Sequence, residues 1–256
     1  MSPPIIVVTD VTKRFASTGG DTIALGSVSL NVASGEFVCL IGASGCGKST
    51  LLRIIAGFEG PSEGSVIVRG KPVTGPGPDR GIVFQDYGLF PWLTVRRNIA
   101  FGPESRGRSR EEVAETTDRF LTMIGLTAFA GAYPHQLSGG MKQRVAIARV
   151  LANDARVVLM DEPFGALDAM TRERLQDELL ALWAETGLTI VFVTHAIEEA
   201  IALADRVVVM SPGPGRIVRD VTVDLSRPRD VTSPSFNALR RELSAVLHSS
   251  HQREAV

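Results

Sequence analysis

The chain alternates between short apolar runs and longer amphipathic stretches. IIVVTDVTKRF (Ile5 to Phe15) and TIALGSVSLNV (Thr22 to Val32) show polar-apolar alternation, which predicts half-buried strands. GEFVCLIG is a short, fully apolar strand candidate, and KSTLLRIIAG after it has helical spacing that stops at Gly57. SVIVRGKPV and RGIVFQ predict two further short strands separated by the turn-rich TGPGPD. From about Val95 to Asn153 helical pattern dominates, in REEVAETTDRFLTMIG and GGMKQRVAIARVLAN. Continuous apolar runs return in RVVLMDEP and LTIVFVTH, each flanked by helical sequence, and RVVVMSPGPGRIVRDVTVDL predicts a hairpin turning at Pro212 to Gly215. In the tail, Phe236, Leu239, Leu243, Val246 and Leu247 form one apolar stripe at helical spacing. That helix is expected to pack on its own domain and to leave HQREAV disordered.

These elements read as an α/β core with a helical insert of roughly sixty residues between its two halves, without internal repeats. Composition agrees with an ordinary globular chain: 256 residues, 44% hydrophobic and 21% charged. Lys and Arg number 27 against 28 Asp and Glu, so no overall basic excess argues for nucleic acid. Cys39 lies in an apolar run and Cys46 in a glycine loop that needs its backbone geometry; two reduced thiols are expected. The N-terminus lacks the pattern of a signal peptide. No apolar run approaches the ~18 residues that cross a bilayer. The expectation is a soluble, cytosolic chain, or one held at a membrane through something else.

GASGCGKST, Gly42 to Thr50, fits G-x-x-x-x-G-K-[ST] with a strand before it and a helix after it. Its glycines let backbone N–H groups curl toward phosphates, Lys48 reaches the β- and γ-phosphates, and the Ser49 hydroxyl suits Mg²⁺. VVLMDEP delivers Asp161 and Glu162 at a strand's carboxyl end, where the backbone must bend for both to face a ligand. Asp161 is then a Mg²⁺-shell carboxylate and Glu162 a group to position or deprotonate water; a plain strand-ending turn is the alternative. His195 ends LTIVFVTH in the same way and is a candidate for the γ-phosphate or the water. His135, His248 and His251 carry no comparable signal.

LSGGMKQR, Leu137 to Arg144, places two glycines at a second helix start, a second anion-seeking feature about ninety residues beyond the first. Together the phosphate loop, Gln85 in IVFQDYGLFPW, LSGGMKQR, VVLMDEP, GALD and VTH follow the order and approximate spacing of ATP-binding-cassette ATPases, which this chain resembles to about Leu225. More narrowly, GPGPDRGIVFQ, FPWLTV, PHQLSGGMKQRVAIAR, FGALD and MSPGPGRIV resemble the ATP-binding subunits of bacterial nitrate, taurine and aliphatic-sulfonate importers.

The resemblance implies a P-loop nucleotidase core with an N-terminal antiparallel β subdomain and an inserted helical subdomain at about 90–153. The ATPase domain would cover 1–225 and a helical tail 226–256, too short for a regulatory β-domain. It implies two copies meeting head to tail, so that Ser138, Gly139 and Gly140 bind the γ-phosphate held by the partner's loop. ATP and Mg²⁺ follow. Gly42, Ala43, Ser44, Gly45, Cys46, Gly47, Lys48, Ser49 and Thr50 would hold phosphates, Phe15 would stack on adenine, and Gln85 would reach Mg²⁺ and water. Asp168 would cross the dimer seam, with a helix-capping role compatible. Residues Gly88 to Thr94, with Phe90 and Trp92 as exposed aromatics, would form a groove for a cytoplasmic helix of a membrane subunit, with core packing of either aromatic as the alternative. The implied partners are two transmembrane permease subunits and, indirectly, a solute-binding protein, with this chain peripheral on the cytoplasmic face of the inner membrane and no nucleic acid involved. Two rival classes remain open: a DNA-repair or chromosome-associated cassette, which would carry a long coiled-coil or metal insert, and a P-loop kinase, which would leave LSGGMKQR idle.

Overall fold

The computed structural model describes residues 4–16, 20–165 and 167–252, with side chains through Ser249. The chain divides into two compact units, Met1–Pro76 with Trp183–Val256, and Gly77–Leu182.

The first unit begins with β1 (Pro4–Phe15) and β2 (Thr22–Ala33), an antiparallel pair in which Ile6 faces Val32 and Val8 faces Leu30. The alternation read from the sequence breaks at Asp10, whose φ of 48° accompanies a register shift, so that Val11 and Thr12 are both buried. Every residue of β3 (Phe37–Gly42) is buried, as befits a strand covered on both faces. α1 (Lys48–Ala56) starts at Gly47 and ends where Gly57, at φ 85°, donates its N–H to Arg53 and Ile54 carbonyls. SVIVRGKPV was expected as one strand and is two: β4 (Glu63–Val68) and β5 (Lys71–Pro72) pair antiparallel across Arg69-Gly70, both at positive φ. The dipeptide turn overrides the apolar run. One sheet of this unit has the order β2-β1-β4-β5.

The second unit opens with β6 (Arg80–Val83), which stops before Phe84 and Gln85 although RGIVFQ reads as one strand. Helices α2 (Val95–Ser105), α3 (Arg110–Met123) and α4 (Gly139–Ala152) follow. Ser109 and Glu112 form a reciprocal capping box on α3, and Thr94 caps α2. β7 (Val157–Asp161) pairs parallel with β6, and α5 (Ala169–Thr186) leads out of the unit.

The chain then returns to the first unit with β8 (Thr189–Thr194), α6 (Ile197–Leu203), β9 (Arg206–Ser211) and β10 (Arg216–Thr222). β3 lies between β8 and β9, parallel to both, and β10 is the antiparallel arm of the expected hairpin. The last helix, α7 (Pro234–Gln252), packs on α6 and β9. Of its stripe, Phe236 and Leu243 are fully buried, while Leu239, Val246 and Leu247 are half-buried. The helix extends through His251 and Gln252, two residues into the expected HQREAV tail, whose remainder lies outside the described residues. No described helix is long and apolar enough to cross a membrane.

Leu243 is the deepest anchor of α7 at 0% exposure. Leu243→Ala should therefore cost about 2–5 kcal/mol in denaturant unfolding. A change below about 0.5 kcal/mol, the scale of a surface site, would show that α7 is not packed in this way.

Candidate functional site

Within the first unit three parallel strands end together. Ile41 pairs with Thr194 and Gly42 with Met210, so the loop after β3, the residue after β8 and the end of β9 share one edge. That edge is the carboxyl end of parallel strands, where open α/β sheets hold ligands. The loop Gly42 to Thr50 issues there. Gly47 is required by its backbone: at φ 89° it turns the chain into α1 and accepts the N–H of Leu51 at 2.8 Å. Ser44 and Gly45 are exposed, Ala43, Ser49 and Thr50 half-buried, and Cys46 buried. The β9–β10 hairpin braces the loop region from β2, through Gly26 N–H to Gly215 O at 2.9 Å and Gly215 N–H to Ala24 O at 3.0 Å.

Lys48 sets the electrostatics. Its side chain is 5% exposed, and Nζ donates to Gly42 O and Ala43 O at 2.8 Å each, with Cys46 Sγ at 3.7 Å. No carboxylate pairs with it among the described residues. A buried ammonium solvated only by carbonyls is an incomplete arrangement, and an oxyanion completes it. The chemistry therefore fits a phosphorylated ligand. Cys39 and Cys46 are free and buried, as expected, and burial pushes the Cys39 thiol well above its ordinary range. His195 is exposed at the end of β8, where Thr194 Oγ1 accepts the N–H of Ala196 at 3.0 Å. Phe15 is 39% exposed, with the Lys13 ammonium 4.8 Å from its ring centre. It is not a core residue.

The second unit carries the acidic pair. β7 ends at Asp161, and Glu162 takes φ 47°, a conformation that side chains other than glycine rarely adopt. This is the bend that the sequence required. A turn from Gly165 N–H to Glu162 O at 3.1 Å follows. Gln85 Nε2 and Glu162 Oε2 lie 3.3 and 3.8 Å from the place a β-carbon would take on Gly165, so the amide and the carboxylate border one small space.

The LSGG segment does open a helix. Ser138 is exposed and caps α4, its Oγ accepting the N–H of Met141 at 3.3 Å. A β-carbon on Gly139 would fall 2.9 Å from Leu167 Cδ2 and 3.4 Å from the Tyr87 hydroxyl, so these two side chains lie against the start of α4. Gly140 is buried beside Leu175. Asp168 caps α5 through Thr171 N–H at 3.0 Å, and that backbone hydrogen bond holds its carboxyl below the usual range.

The loop Gln85 to Thr94 is built from within the second unit. Asn98, fully buried, accepts the N–H of Phe90 at 2.9 Å and donates to Phe90, Leu93 and Thr94 carbonyls at 3.0–3.2 Å. Arg149 donates to Gly88 O at 2.7 Å and lies 5.2 Å from the Phe90 ring centre; burial lowers its pKa. Phe90 packs on Phe101 at 4.5 Å and Trp92 at 5.7 Å between ring centres. The expectation of two exposed aromatics needs correction. Trp92 is 71% exposed, but Phe90 is half-buried support beneath it. Asn98, Arg149 and Tyr87 were not singled out from sequence. Asn98 had a signal: a polar residue on the apolar face shared with Val95 and Ile99.

Comparison with known proteins identifies the family. The model of the ABC transporter family matches residues 25–165. The chain is 53% identical, over 94% of its length and 90% of the relative's, to an uncharacterised ABC transporter ATP-binding protein of Methanocaldococcus jannaschii. It is 46% identical to the nitrate import ATP-binding protein of Synechocystis, over 96% of both chains. To the taurine import ATP-binding protein of Chromobacterium violaceum it is 50% identical, over 91% of this chain and 92% of that one. Among solved structures, a dimeric ATP-binding cassette in a post-hydrolysis state with ADP and Pi superposes with a TM-score of 0.75 at 35% identity, covering 86% of this chain and 100% of that one.

Proposed function

The chain belongs to the ABC transporter family, and on that premise we propose that it is the ATP-hydrolysing subunit of a bacterial importer for a small anionic or zwitterionic solute of the nitrate, taurine or sulfonate kind. The observation that carries the reading is the buried Lys48 ammonium, held by two carbonyls and by no carboxylate among the described residues, in a glycine loop at parallel strand ends. Of the classes the sequence left open, the importer subunit is the one that the relatives' names favour.

On this reading the triphosphate of ATP lies along Gly42 to Thr50, with Lys48 against its β- and γ-phosphates and the exposed face of Phe15 under adenine. Ser49, Gln85 and Asp161 offer hard oxygen donors that suit Mg²⁺, which would neutralise phosphate charge when bound. Glu162 accepts a proton from the attacking water, while Gln85 and His195 orient it. The strained φ of Glu162 supports a fixed aim for its carboxylate. Ser138, Gly139 and Gly140 serve a second copy of the chain, head to tail, and Asp168 stands at the seam. That the similar cassette structure is dimeric supports this arrangement. Closure on ATP and reopening after hydrolysis would then move two transmembrane permease subunits, fed by a solute-binding protein, with this chain peripheral on the cytoplasmic face. Trp92, exposed on a loop pinned by Asn98 and Arg149, suits a docking anchor for a permease helix.

Glu162→Gln should keep ATP affinity and lose turnover by a factor of about 10²–10⁴. In cells it should abolish growth on nitrate as nitrogen source, or on taurine or a sulfonate as sulfur source. Turnover near the wild-type rate would remove Glu162 from catalysis, and undiminished growth on all three would overturn the importer reading.

Trp92→Ala should leave unfolding free energy within about 0.5 kcal/mol, as at an exposed site. ATP hydrolysis by the isolated subunit should also persist, while co-purification with the permease subunits weakens. Undiminished co-purification would withdraw the docking role.

A further inference from the structure

The second unit holds a cleft that none of these roles uses. It lies between α2 and α3, encloses about 440 Å³, and is lined by Arg96, Arg97, Glu104, Arg108, Arg110 and Thr117, with small apolar residues between them. Four guanidinium groups thus face one lining carboxylate. From outside the lining, Asp118 takes Arg96 at 2.6 Å and Asp154 takes Arg108. Arg97 and Arg110 make no ion pair among the described residues. Arg96 and Arg97 stand in the first turn of α2, which has no acidic residue and where the helix dipole disfavours a cation, whereas Arg110 opens α3 beside Glu111 and Glu112.

Thr117 supplies an independent observation. It lines the same cleft, is 1% exposed, and its Oγ1 has no hydrogen-bond partner among the described residues. A threonine inside a helix commonly returns its hydroxyl to a carbonyl one turn back. Here the donor is buried and left over, which is unfavourable until an acceptor arrives. The Arg96–Asp118 pair draws the first turn of α2 beside the turn of α3 that carries Thr117. Arg97 and Thr117 therefore belong to one end of the cleft, and Arg108, Arg110 and Glu104 to the other.

We propose that this cleft binds a phosphate ester, with Arg97 and the Thr117 hydroxyl as its principal donors. A phosphate ester offers acceptor oxygens on a fixed negative charge, three oxygens and up to two charges in a monoester, two oxygens and one charge in a phospholipid diester, and so suits guanidiniums and a hydroxyl together. The volume admits a headgroup-sized ligand and not a helix of some 10 Å diameter. The phosphate has two possible sources, a soluble ester or a phospholipid headgroup.

Two arms separate the sources. In the first, sn-glycerol 1-phosphate is titrated calorimetrically into the wild-type chain, Arg97→Ala and Thr117→Val; any binding by the loop Gly42 to Thr50 is common to all three and drops out of the difference. In the second, the same proteins are sedimented with phosphatidylglycerol vesicles and with phosphatidylcholine vesicles. Arg97→Ala should weaken binding about tenfold or more and Thr117→Val several-fold, with affinity falling as salt rises. Variant-sensitive binding of the soluble ester assigns the site to a metabolite, and variant-sensitive binding only to phosphatidylglycerol assigns it to a headgroup; either supports the site. Thr117→Val preserves shape and Arg97 is exposed, so an unchanged melting temperature certifies the fold. Equal binding by all three proteins in both arms overturns the proposal. So does tighter, variant-sensitive binding of a polyglutamate peptide, which would make the cleft a protein contact.

Discussion

The ammonium of Lys48 is buried among carbonyl oxygens of its own loop instead of beside a carboxylate. Burying an uncompensated charge is among the costliest features a fold can carry, and it persists only where the surroundings enforce it. Here they do. β3 is held on both sides by parallel partners, Gly47 fixes the exit into α1, and the β9–β10 hairpin is tied to β2 through Gly215. The core of the first unit thereby fixes the loop geometry that sets Lys48 among its carbonyls.

The second unit repeats the theme with different parts. α4 begins with two glycines and a serine cap, and its first turn carries no acidic side chain. Leu167, Tyr87 and Leu175 lie against the glycines, and Ser138 at the cap is exposed. On the proposed reading, such a helix start receives an anion presented by a second copy of the chain. That asymmetry is the physical content of the head-to-tail proposal, because each copy then lacks what the other presents.

Features set by neighbours in sequence were legible. The glycine loop, the helix stop at Gly57, the helix start at Gly139, the strand-end bend at Glu162 and the β9–β10 turn all follow from local chemistry. The apolar run SVIVRGKPV misled because Arg69-Gly70 turns it back on itself. Phe90 misled because its burial depends on Phe101 and on Arg149, the latter far along the chain, and no local period reports such contacts. Arg149 acts through guanidinium reach to the Gly88 carbonyl sixty-one residues away, so it carries no local motif. The Thr117 hydroxyl, without a hydrogen-bond partner among the described residues, was invisible for the same reason: only the packed helix pair shows its burial.

The shared-site claim is tested most directly by a mixed dimer, purified through two different tags, of one Lys48→Ala chain and one Ser138→Arg chain. If each signature serves the partner's loop, both defects fall in one site and the other site is whole. One tightly held, Mg²⁺-dependent ATP per mixed dimer should then be recovered, where each mutant homodimer holds none. Binding is the readout, since turnover can depend on both sites together. If each signature instead serves its own chain's nucleotide, every site in the mixed dimer is damaged, and absence of any retained ATP would contradict the account.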